Sequence, residues 1–83
     1  MGRRQATPEE RERGGALGRE LQRRRNEREM TQTQLAGAAG IDLDALRGLE
    51  QGRYAHPSFF TVVALAQALD CTVEQIVEGL GDA

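Results

Sequence analysis

The chain has no lysine and no tryptophan, one cysteine, one histidine, and only Tyr54, Phe59 and Phe60 as further aromatic residues in a length of 83. Most of these shortages exclude something. Cys71 alone cannot close an internal disulfide and offers a metal ion no second thiolate, and His56 has no neighbouring cysteine to pair with it. With one histidine, one cysteine, no clustered carboxylates and no glycine-rich phosphate loop after a strand, no nucleophile and base are available. The chain is therefore expected not to be an enzyme, and to hold no cofactor and no metal. No apolar run approaches bilayer-spanning length and the arginine-rich start has no apolar signal core, so a cytoplasmic protein with no membrane partner is expected. The absence of lysine fits a GC-rich genome and excludes no chemistry.

With so few aromatics the core has to come from Leu, Ala, Val and Ile, as in small all-helical domains. The length allows one domain near the lower limit for burying enough apolar surface, with no room for a separate ligand-sensing domain or an evident small-molecule ligand. The net charge of −2 hides an uneven distribution. Residues 1–28 hold nine arginines against five glutamates, a balance of +4, whereas residues 29–83 hold two arginines against eight acids, a balance of −6. Phosphate contacts are local and salt screens charges beyond roughly 8–10 Å, so a single cationic face would suffice for a nucleic-acid partner.

What is present is a series of helix signals. MGRRQA reads as a flexible N-terminal arm within residues 1–15, and Thr7-Pro8-Glu9-Glu10 caps a short helix expected at 8–13. Gly14-Gly15 should interrupt it, so the main first helix is placed at 16–28, with Leu17 and Leu21 as its apolar stripe and a solvated arginine face. Thr31 and Gln34 form a capping box for a helix at 32–39 that stops at Gly40. Asp42 is expected to cap a third helix at 43–51, closed by Gly52. The link between the second and third helices is too short for anything but a sharp turn between helices at a large angle. Ser58 caps a fourth helix at 58–69, with Phe59, Val62, Leu65, Ala66 and Leu69 on its inner face. Thr72 and Gln75 cap a fifth at 73–79, with Val73, Ile76, Val77 and Leu80 facing the core, and residues 81–83 form a tail. The fold class is all-α, a compact five-helix domain spanning 16–80.

The ordered signals Met30-Thr31-Gln32-Thr33-Gln34-Leu35-Ala36, Ala39-Gly40-Ile41, Leu49-Glu50-Gln51-Gly52-Arg53, Pro57-Ser58 and Leu65-Ala66-Gln67-Ala68-Leu69 resemble the phage-repressor helix-turn-helix family (Cro and CI, XRE-like) over about residues 17–80. The resemblance implies a lambda-repressor-like DNA-binding domain and a transcriptional regulator. It also implies a structural ion pair between Arg25 and Glu50, with Ile41, Leu46 and Leu49 in the core and Cys71 buried and inert. For DNA phosphates it points to Gln32 at the start of the second helix and to Arg53, Tyr54 and His56 after the third.

At 100° per residue the outward arc of the third helix carries Leu43, Asp44, Arg47, Gly48 and Gln51, the base-contact candidates. The family usually has polar residues at the positions of 43, 44 and 48, and this chain departs from that with Leu, Asp and Gly. Leu43 suits a thymine methyl, Asp44 a cytosine amino group and Arg47 a guanine. Asp44 equally suits the first turn of a helix as a favourable charge. Arg3 and Arg4 on the arm are candidates to reach around the duplex or into a minor groove. A domain this small makes few contacts, so double-stranded DNA would be bound by a homodimer, with Phe60, Val63 and the last helix as candidates for the self-contact. The alternative is a protein-interaction module that presents Leu43, Asp44 and Gly48 to a polymerase subunit, toxin or other regulator.

Overall fold

The computed structural model describes residues 5–81, so Arg3 and Arg4 of the arm lie outside the described residues. Its five helices are α1 (Pro8–Glu27), α2 (Gln32–Ala39), α3 (Leu43–Glu50), α4 (Phe59–Ala68) and α5 (Val73–Gly79). Among the described residues there is no strand. No single described helix is long and apolar enough to cross a membrane.

Each helix contributes one fully buried aliphatic side chain to a common centre: Leu21, Leu35, Leu46, Leu65 and Ile76. Each such burial stabilises by about 1.5–3 kcal/mol relative to exposure, so these five side chains are the main apolar tie between the helices. Around that centre α1 packs on α3 and α5, α2 on α3 and α4, and α4 on α5.

Local chemistry sets the helix ends. Thr7 with Glu10, Thr31 with Gln34, and Thr72 with Gln75 form reciprocal capping boxes, each satisfying two amides that would otherwise lack partners. Glu29, Gly40, Gly52 and Asp70, at φ between 55° and 74°, turn the chain out of α1, α2, α3 and α4. In each case the next residue's N–H reaches back one turn: Met30 to Arg25 O, Ile41 to Ala36 O, Arg53 to Gly48 O and Cys71 to Ala66 O. This closure satisfies carbonyls left over at a helix C-terminus.

Several expectations are corrected. α1 is one continuous 20-residue helix, without a break at Gly14-Gly15. A Cβ on Gly14 would lie 2.6 Å from Tyr54 O, and one on Gly18 would strike the Leu49 and Glu50 carbonyl oxygens. Backbone-to-backbone packing of α1 on α3 and the following loop therefore offsets the helix-weakening cost of these glycines. Asp42 occupies the N-cap of α3 with extended backbone, but its side chain makes no capping hydrogen bond. Phe59 is 65% exposed and Val77 58% exposed, so neither faces the core. Cys71 is only half-buried, against the core's edge.

The arginine face of α1 is not simply solvated. Glu20 is buried, and its carboxylate accepts from Arg23 at 2.8 Å and Arg24 at 2.6 Å. Arg24 also donates to Gln75 O at 3.2 Å, and Gly79 lies so close that a Cβ there would collide with the Glu20 carboxylate. Hydrogen bonding from Arg23, opposed by burial, with Arg24 adding to it, holds the Glu20 carboxyl below its ordinary pKa. A folded-state pKa below the unfolded one contributes stability at neutral pH that disappears as pH falls through the carboxylate range to the lowered value. The urea midpoint is accordingly expected to drop on acidification below the ordinary carboxylate pKa. Glu20→Gln should flatten that drop, and an unchanged acid limb in the variant would remove Glu20 from the account.

Candidate nucleic-acid interface

The short turn after α2 brings Asp42 to the start of α3, and Leu46 and Leu49 pin the inner side of that helix to the core. Its orientation is held from the other end by charge. Arg25 of α1 donates Nε to Glu50 Oε2 at 2.7 Å and Nη2 to Glu50 Oε1 at 2.9 Å, while its Nη1 donates to Met30 O at 2.9 Å. Gln32, at the first position of α2, donates Nε2 to Glu50 Oε1 at 3.0 Å. Three helices thus meet at one buried carboxylate, and no buried side-chain polar atom among the described residues lacks a partner. The hydrogen bonds that Arg25 donates to Glu50, working against burial, raise the Arg25 pKa above its ordinary value.

The outer arc of α3 is open over most of its length. Asp44, Arg47 and Gln51 are exposed, with Arg47 Nη1 3.5 Å from Asp44 Oδ1. Leu43 is half-buried and leans on the core. Gly48 departs from the expected arrangement: it is buried, because the Tyr54 ring lies on it, with Cε2 2.6 Å from where a Cβ would be. Gly48 therefore presents no surface of its own.

The phosphate candidates separate into two groups. Arg53 is exposed and has no ion-pair or side-chain hydrogen-bond partner among the described residues. Tyr54 is 46% exposed. Gln32 is half-buried with one amide hydrogen committed to Glu50. His56 turns away to α1, its Nε2 2.5 Å from Glu10 Oε2, so it serves as an anchor for the loop instead of a free donor. Neither the Gln32 link nor the His56 link is visible in the sequence, because their partners lie 18 and 46 residues away.

A short second helix, a sharp turn and a third helix with its outer side clear, braced by a first helix, are the parts of a helix-turn-helix DNA-binding domain. The family described as Helix-turn-helix domain matches residues 16–78. The fold is similar to the restriction-modification controller protein C.AhdI from Aeromonas hydrophila, at 27% identity over 76% of this chain and 94% of that one, with a TM-score of 0.73. It is also similar to the clp gene regulator ClgR from Corynebacterium glutamicum in two structures, both at 26% identity over 82% of this chain. These cover 71% and 87% of the ClgR chains, with TM-scores of 0.77 and 0.76. No curated protein matches the chain. The chain belongs to the helix-turn-helix family, in its phage-repressor-like branch.

Proposed function

We propose that this protein is a cytoplasmic transcriptional regulator that binds operator DNA as a homodimer, placing one α3 in each of two major-groove half-sites about a helical turn apart. The observation that carries this reading is the rigid presentation of α3. Its inner side is fixed by Leu46, Leu49 and the Arg25–Glu50–Gln32 network, while Asp44, Arg47 and Gln51 project outward. Arg47 is the strongest base reader of the set through a forked contact with guanine, worth about 1–3 kcal/mol of discrimination. Arg53 contacts the backbone, and the second amide hydrogen of Gln32, steadied by Glu50, is directed to a phosphate. C.AhdI, named as a controller protein, and ClgR, named as a gene regulator, support the same class of activity.

The self-contact is assigned to the exposed end of α4, where Phe60 is 80% exposed and packs edge-to-face on Phe59 at 5.6 Å between ring centroids. An exposed aromatic pair of this kind marks an association surface. The protein-docking alternative would present Leu43, Asp44 and Gly48 to a partner; the Tyr54 ring covers Gly48, so of these three only Leu43 and Asp44 would offer side chains.

Selection of bound duplexes from a random pool tests the reading. Enrichment of a palindrome is expected, with binding that weakens steeply with salt as counterions are released. Arg47→Ala should lose preference at one base pair per half-site. Phe60→Glu should yield a monomer by sedimentation with little preference for two half-sites over one. A wild-type chain that enriches no sequence would overturn the proposal.

A further inference from the structure

The Tyr54 ring occupies the place of a missing α3 side chain. Gly48 lies one turn after Asp44 and one turn before Gln51, at the edge of the outer arc nearest Ala45, and has no side chain of its own. Over it lie Cε2, Cζ and the hydroxyl oxygen of Tyr54, at 2.6, 3.1 and 3.1 Å from the position of a Cβ. The ring edge and hydroxyl therefore rest on the helix at the point where residue 48 would project. The hydroxyl makes no hydrogen bond among the described residues, so both its donor and its acceptor capacity remain available. Phenol is also more than a filler here, since it can stack by its edge and bond by its tip.

The residue is held in place from behind. The Tyr54 carbonyl lies against Gly14 of α1, where a Cβ would approach to 2.6 Å. Two residues on, His56 pairs with Glu10 of α1. The N-terminal half of α1 thus braces the loop at two points, so the ring reaches α3 from a fixed base.

We propose that Tyr54 is a specificity-determining residue of the DNA interface, its hydroxyl reading a base edge in the major groove at the position left vacant by Gly48. This rests on the assignment of α3 as the DNA-facing helix. The ring lies at the edge of the outer arc nearest Ala45, and a phosphate contact made from there would show as an equal loss on every sequence.

The test compares the site preferences of the full-length protein with those of Tyr54→Phe, which removes one oxygen, and Gly48→Ala, whose added methyl displaces the ring. Gly48→Ala should keep its fold, because the colliding atoms belong to a side chain and the ring borders an open cavity of about 250 Å³ beside Ala45, Leu49 and Pro57. Tyr54→Phe is expected to relax discrimination about 3–10-fold at one base pair in each half-site, as befits one hydrogen bond, with affinity for random duplex unchanged at equal salt. Gly48→Ala should relax the same base pair while remaining folded, with the cooperative thermal transition and helical circular dichroism of the wild type. An unchanged preference profile in Tyr54→Phe, or an equal loss on every sequence, overturns this assignment while leaving the regulator reading intact. Failure of the wild-type chain to prefer any sequence overturns both.

Discussion

Glu50→Ala is expected to destabilise the domain by about 3–5 kcal/mol, the cost of stranding a buried charge. Arg25 would be left with two donors facing an emptied site and Gln32 with none of its present acceptor. A domain this small has a total stability on the order of 5 kcal/mol, so the variant should be largely unfolded at 37 °C. Urea titration by circular dichroism measures the loss. The control is a double replacement, Arg25→Met with Glu50→Leu, which exchanges the pair for apolar groups of similar volume. Removing both charges together is often neutral or stabilising, so the double variant is expected to recover most of the loss. If it is no more stable than Glu50→Ala, the cost lies in lost packing and the charge argument fails.

Gly18→Ala is the second large effect, and it runs against helix propensity. Alanine is preferred to glycine inside a helix by about 1 kcal/mol. At Gly18, however, the new methyl would strike the Leu49 carbonyl oxygen and come within 2.7 Å of that of Glu50. These are backbone atoms at the end of α3 and cannot rotate away, so α1 must withdraw along the side that holds Leu21 and Arg25. Overpacking of this kind costs about 1–3 kcal/mol and at times more, and a net loss of about 2 kcal/mol is expected. Gly15→Ala, three residues earlier, should do the opposite, since its methyl meets only the flexible end of Arg19 at 3.3 Å. Opposite shifts in thermal midpoint for the two alanines are the diagnostic outcome. A gain in both would mean that α1 and α3 have slack between them.

The same contrast marks how far the sequence could be read. Capping boxes were legible because both partners sit three residues apart on one local stretch: Thr31 with Gln34 needs no knowledge of the rest of the chain. The central Leu21, Leu35, Leu46, Leu65 and Ile76 were legible as one face per helix, since amphipathic period and burial are linked. The Arg25 and Glu50 pairing was legible only through family resemblance, because no periodic signal joins residues 25 positions apart.

Phe59 and Val77 were misplaced for a related reason. On helices of ten and seven residues, an apolar residue near an end satisfies the helical period yet points past the edge of the core.

The sequence by itself determined, to within a residue, where α2 to α5 begin and end, which aliphatic residues fill the centre and which family the chain joins, all of which depend on short-range pattern. Tertiary structure alone decided what the glycines and loop polar residues do. Gly14 and Gly18 look like weak points in a helix until another backbone lies on them. Gly48 looks like a bare patch until the Tyr54 ring occupies it. Gln32 and His56 look like free donors until Glu50 and Glu10 engage them. A residue without a side chain, or with one that must find a distant partner, carries no record of its neighbour in its own stretch of chain.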